Sequence, residues 1–179
     1  TNGTTYYISV RATDNVGNIS TVATADGITV DTDNPVLTTP IEGSLATDID
    51  YQNSGSELII SWSGSDPASG IAFYEYALGT SSGASDAVEW TSADTTTADT
   101  LYFTVFSLTE GATYYLSVRA TDNVGNLSSA STGDGIYIDL TNPVAGSAID
   151  GTSADLSYTG ADSTLTVTWS DFSDAHSGI

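Results

Sequence analysis

In the run TYYLSVRAT, from Thr113 to Thr121, Tyr114, Leu116, Val118 and Ala120 share one parity and Tyr115, Ser117, Arg119 and Thr121 share the other. A period of two marks a β-strand with one face on a core. Runs rich in Val, Ile, Thr and Tyr recur at Leu58 to Ser63, Ala72 to Gly79, Ala87 to Thr91, Leu101 to Ser107 and Gly135 to Leu140, divided by clusters of Gly, Asn, Asp and Ser. In the second of these, Tyr74, Tyr76 and Leu78 fall on one face and Glu75 on the other, while Trp62 closes an alternating run early in the chain. Helical spacing is hard to find, so the pattern predicts an all-β fold.

The pattern also repeats. Gly3 to Val36 aligns without a gap on Gly111 to Val144, with 23 of 34 positions identical at a spacing of 108, and SVRATDNVGN occurs in both. Further matches join Ile41 to Ile149, Tyr51 to Tyr158 and Trp62 to Trp169. A repeat of this length equals one ordinary domain. The expected organisation is residues 1–36 as the last third of one unit, 37–144 as a complete unit and 145–179 as the first third of another, a window on a longer tandem array.

The stretch SLTEGATYYLSVRATDNVGN resembles the part of fibronectin type III domains where a Leu, a Gly and a Tyr lead into an alternating strand. Those residues here are Leu108, Gly111 and Tyr114, followed by Leu116, Val118 and Ala120, and Trp62 matches the family's early core Trp. The resemblance implies a seven-stranded antiparallel β-sandwich in which the Tyr114 hydroxyl bonds back to the chain near Leu108. DGITVDTDNP and ATDNVGN also resemble immunoglobulin-like repeats of large bacterial surface adhesins, whose Asp-bearing linkers bind calcium.

Twenty-three acidic residues face two arginines and no lysine, for a formal net charge of −21. Such a surface repels nucleic acid and anionic membranes and attracts cations. Charged residues are only 14 % of the chain, so the acidity reflects missing bases. Without Cys there are no disulfides or thiolate metal sites, and no apolar run reaches the roughly 18 residues of a membrane span.

Two readings fit the repeated DNVGN. One is a strand-connecting turn, since Asn and Gly accept positive φ and Asp bonds its own backbone. The other is a calcium site, which takes six to eight oxygens from carboxylates, amides and carbonyls. In the implied sandwich, the linker into the complete unit arrives beside the loops joining strands two to three and six to seven. That placement gathers Asp31, Asp33 and Asn34 with Asp66 and with Asp122, Asn123 and Asn126, and pairs Asp139 and Asn142 with Asp171 and Asp174 of the next unit. A bound Ca²⁺ at each joint would stiffen the array into a rod.

Other chemistry is poorly supplied. The chain has one His, His176, and no nucleophile and base pair in the complete unit, so a non-catalytic role is expected. Trp90, with Tyr102, Tyr115 and Tyr137, offers an aromatic platform for sugar rings, or Trp90 simply covers a sheet edge. Arg119 and Glu75 are expected to pair across the outer face. Asn2, Asn18 and Asn126 sit in Asn-x-Ser/Thr sequons. The expectation is a structural stalk or filament segment of a secreted or surface-displayed bacterial protein, partnered by adjacent repeats and by identical chains. The rival is a carbohydrate- or protein-binding module, for adhesion or as an accessory of an extracellular polysaccharide-degrading enzyme.

Overall fold

The computed structural model describes residues 1–44, 47–93, 99–103, 107–160 and 164–179. Among these residues the chain is all-β. The strands are β1 (Thr5–Tyr6), β2 (Ser9–Val10), β3 (Ala23–Thr24), β4 (Ile28–Thr29), β5 (Val36–Leu37), β6 (Ile41–Ser44), β7 (Thr47–Asp48), β8 (Tyr51–Gln52) and β9 (Leu58–Trp62). They continue with β10 (Gly64–Ser65), β11 (Ile71–Gly79), β12 (Val88–Ser92), β13 (Asp99–Phe103), β14 (Thr113–Asp122), β15 (Ser131–Thr132), β16 (Ile136–Ile138), β17 (Ser147–Asp150) and β18 (Val167–Ser170).

Two larger sheets carry the core. One runs β12-β11-β14-β16-β8, with β15 also on β14, and the other runs β13-β9-β6-β7. Pairing is antiparallel apart from β16 with β8. The alternation of β14 has the expected consequence: Tyr114, Leu116, Val118 and Ala120 are buried. They meet Tyr74 and Leu78 of β11, Ile136 and Ile138 of β16, and Leu58, Ile60 and Trp62 of β9 in one cluster. Side chains of both sheets therefore share a single apolar core, and burying a residue such as Leu or Phe contributes about 1.5–3 kcal/mol. Trp62 and Tyr74 form its centre, their rings 5.9 Å apart.

Individual expectations shift by a residue or two. The strand expected over Leu101 to Ser107 is β13, which begins at Asp99; residues 104–106 and the side chain of Tyr102 lie outside the described residues. Thr109 N–H donates to the Tyr114 hydroxyl at 3.1 Å, tying the start of β14 to the segment after Leu108. Gly111, at φ 75°, makes the turn between them, where a side chain would be strained.

The flanking segments form only two-stranded pairs, β1 with β4, β2 with β3 and β17 with β18. Val10 is 63 % exposed and Trp169 70 %, whereas Val118 and Trp62, which they match in sequence, are buried.

Candidate metal centre

DNVGN folds the same way at both of its positions. Asp122 Oδ1 accepts the N–H groups of Val124 and Asn126 at 2.9 and 2.8 Å, and Oδ2 accepts the Asn126 amide at 2.7 Å. Asp14 Oδ1 accepts Val16 and Asn18 N–H at 3.0 and 2.9 Å, and Oδ2 accepts the Asn18 amide at 2.8 Å. Gly17 and Gly125 take φ 95° and 97°, which only glycine adopts without strain. The motif is thus a self-contained turn that presents a carboxylate held by its own backbone.

What surrounds that carboxylate differs. Asp14 is exposed, whereas Asp122 is 2 % exposed and meets two other aspartates. Asp31 comes from the segment between β4 and β5, Asp66 from the loop after β10, and Asp122 from the end of β14. Oxygens of the three carboxylates lie within 4.8 Å of one another. The Asp66 loop is built in the same manner: Oδ1 accepts Ala68, Ser69 and Gly70 N–H at 3.1, 2.9 and 3.0 Å. Asp31 Oδ1 accepts Asp33 N–H at 3.1 Å. The other oxygens of Asp31 and Asp66 are buried and have no hydrogen-bond donor. A buried carboxylate oxygen without a donor is costly unless a proton or a cation reaches it.

The hydrogen bonds of the two loops favour the ionised forms of Asp66 and Asp122. The N–H of Ser69 lowers the Asp66 carboxyl, with Gly70 and Ala68 adding, against burial and the charge of Asp122. Burial pushes the Asp122 carboxyl up, but the N–H and amide of Asn126, with Val124 and Gly125, outweigh it and hold the group below the usual carboxylate range. Neither ion pair among the described residues, Arg119 with Glu75 and His176 with Glu110, reaches the cluster.

The remaining expected ligands occupy different positions. Asn123 donates its amide to the carbonyls of Ser69 and Gly70 at 2.8 and 3.2 Å, locking the Asp66 and Asp122 loops together. Asn126 holds Asp122 as described. Asp33 accepts the Asn2 amide at 2.6 Å and lines, with Asp66, a shallow cleft. Asn34 is exposed.

The segments around Asp139 and Asp174 repeat part of the plan. Asp174 Oδ1 accepts His176, Ser177 and Gly178 N–H at 3.0, 2.9 and 3.1 Å, the counterpart of the Asp66 loop. Asp139 Oδ2 accepts the same Ser177 N–H at 3.0 Å, so one donor joins the two carboxylates. Contacts from Ser177, against burial, hold the Asp139 carboxyl below its ordinary value. Asp171 stands apart, at φ 62° with Ser170 Oγ donating to it. His176, noticed in the sequence only as a lone histidine, lies between Glu110 Oε1 at 3.2 Å and the Tyr137 hydroxyl at 2.7 Å. Those partners are remote in sequence, so no local motif announces the contact.

Arg119 covers one face of the half-buried Trp90 ring. The Arg119 guanidinium carbon lies 4.3 Å from its centroid, while Arg119 Nε donates to Glu75 Oε2 at 2.7 Å. No family model matches the chain, and no curated protein matches it either.

Proposed function

We propose that the chain is a structural, non-catalytic segment of a tandem array of fibronectin type III-like or immunoglobulin-like sandwiches, stiffened by Ca²⁺ at the junctions between units. The observation that carries this reading is the convergence of Asp31, Asp66 and Asp122 from three separate stretches of chain, with a donorless buried oxygen on two of them. Asp31 belongs to the linker, whereas Asp66 and Asp122 belong to the unit that follows it. A cation held by all three fastens the linker to that unit. Calcium suits the site because three hard carboxylates, nearby carbonyls and water can supply six to eight oxygens.

Three further features support the reading. The sequence period of 108 places equivalents of Asp31 and Asp66 at Asp139 and Asp174, which share the Ser177 N–H. Two sheets around one core are what a sandwich requires. Val10, Ile28 and Trp169, exposed in the flanking segments, match Val118, Ile136 and Trp62, which are buried in the central unit, as expected of segments belonging to like units. By the same reading the array is displayed outside a bacterial cell, where calcium is plentiful and acidic surfaces are tolerated.

The test is small-angle scattering on a tandem of two 37–144 units with native linkers, in calcium and in chelator. The expected result is a longer, narrower distribution of distances with calcium, lost in the Asp66→Asn variant. Identical profiles in both conditions overturn the reading.

A further inference from the structure

A second acidic group lies within the central unit, on residues that take no part in the junction. Glu42 of β6 is fully buried, and its Oε1 accepts the N–H of Leu116 on β14 at 3.0 Å. The ladder explains that contact. β14 pairs with β16 at Thr113 and Tyr114 and with β15 at Ser117 and Val118, and between them the Leu116 carbonyl accepts Gly133 N–H at 2.9 Å, leaving a gap in the ladder at the N–H of Leu116. Glu42 enters the gap from the other sheet. Gly133 makes room for it, since a Cβ there would stand 2.5 Å from Glu42 Oε2.

Filling the gap requires only one oxygen. Glu42 Oε2 is buried with no donor, and carboxylate oxygens of Glu42, Asp48 and Asp134 all lie within 4.8 Å of one another. A Gln would satisfy Leu116 equally well and bring no charge. Instead the carboxylate is buried beside two more, an arrangement that is unfavourable unless something positive is shared among them. Asp48 Oδ1 also accepts the Glu42 N–H at 3.1 Å, and the next unit repeats this with Asp150 N–H and Asp155 Oδ1 at 3.2 Å.

We propose that Glu42, Asp48 and Asp134 form a second cation site, taking a hard divalent ion of the calcium class that fastens β6 and β7 of one sheet to the 133–135 segment between β15 and β16 of the other. The ion occupies the donorless side of Glu42, while Asp48 and Asp134, both exposed, leave room for water to complete its shell. Its effect is on the stability of one unit and not on the angle between units, so it stands independently of the junction.

The experiment is calorimetric titration of Ca²⁺ into the 179-residue chain and its Asp134→Asn, Asp48→Asn, Glu42→Gln and Asp66→Asn variants, with melting curves in calcium and chelator. Loss of one binding equivalent in each of the first three, with that equivalent retained in Asp66→Asn, supports the site. Glu42→Gln should also melt no lower than the parent in chelator yet lower in calcium, because it removes both the buried charge and its counter-ion. Asp48 and Asp134 are exposed, so their variants fold even if Glu42→Gln does not. Unchanged stoichiometry and unchanged calcium-dependent melting in Asp48→Asn and Asp134→Asn overturn the proposal and leave Glu42 holding a proton.

Discussion

Arg119 is one of two basic residues in a chain of net charge −21, and its surroundings allow its contribution to be worked out. It lies on β14 directly opposite Glu75 of β11, with Nε 2.7 Å from Oε2 and both side chains about three-quarters buried. Its guanidinium also stacks on Trp90 of β12, so one side chain spans three adjacent strands. A cross-strand ion pair at this exposure contributes about 0.2–1 kcal/mol, and a partly exposed cation–π contact about 0.5–1 kcal/mol. Arg119→Met keeps much of the apolar stem and should therefore cost about 0.7–2 kcal/mol. In a unit of this size each kcal/mol lowers the melting temperature by about 4–8 °C. Arg119→Lys keeps the charge but loses the planar stack, and should fall between the two. Urea unfolding of the cycles Arg119→Met with Glu75→Gln and Arg119→Met with Trp90→Leu isolates the two couplings. Strict additivity in both cycles would refute the assignment. The result bears on function, because a guanidinium seated on the indole covers a face that a stacked sugar ring would need.

Two further outcomes follow from single contacts. Tyr114→Phe removes the acceptor of Thr109 N–H and should lower stability by about 0.5–1.5 kcal/mol, seen as a lower urea midpoint at unchanged slope; an unmoved midpoint would show the corner to be idle. Asp86 is held below its ordinary value by the Thr80 hydroxyl and N–H, at 2.6 and 2.9 Å. A lowered carboxyl contributes stability that is complete above its unfolded value near about 4 and is lost as pH falls through the folded one. The difference between the parent and Asp86→Asn should accordingly be constant from neutral pH to about 5 and shrink below about 4; a difference independent of pH would contradict it.

How much was legible in the sequence depended on whether the signal was local. β14 was readable because ten residues alternate without interruption, and β9 and β11 because apolar runs end at Gly and Ser. β6, β7 and β8 were not, being two to four residues long with no alternation to detect. Glu42 was hidden for a related reason: an isolated acid next to Gly reads as surface, and its burial comes from a ladder gap on another sheet. The convergence of Asp31, Asp66 and Asp122 was reached through topology, since the ends of strands could be ordered before any contact was known. Local sequence did not show that the Asn123 amide donates to the Asp66 loop, since that partner is more than fifty residues away, whereas the Asn126 amide donates to Asp122 within its own turn. The contact of Trp90 with Arg119 was not legible in the sequence, because the two lie on strands separated by β11.

The central claim is that the Asp31, Asp66 and Asp122 cluster is a calcium clamp, and thermal unfolding of the full chain in calcium and in chelator tests it most directly. The account predicts a calcium-dependent rise in melting temperature that persists in Asp134→Asn and shrinks in Asp66→Asn. A rise of the same size in the parent and in Asp66→Asn, or none in the parent, would contradict it and leave DNVGN an ordinary turn.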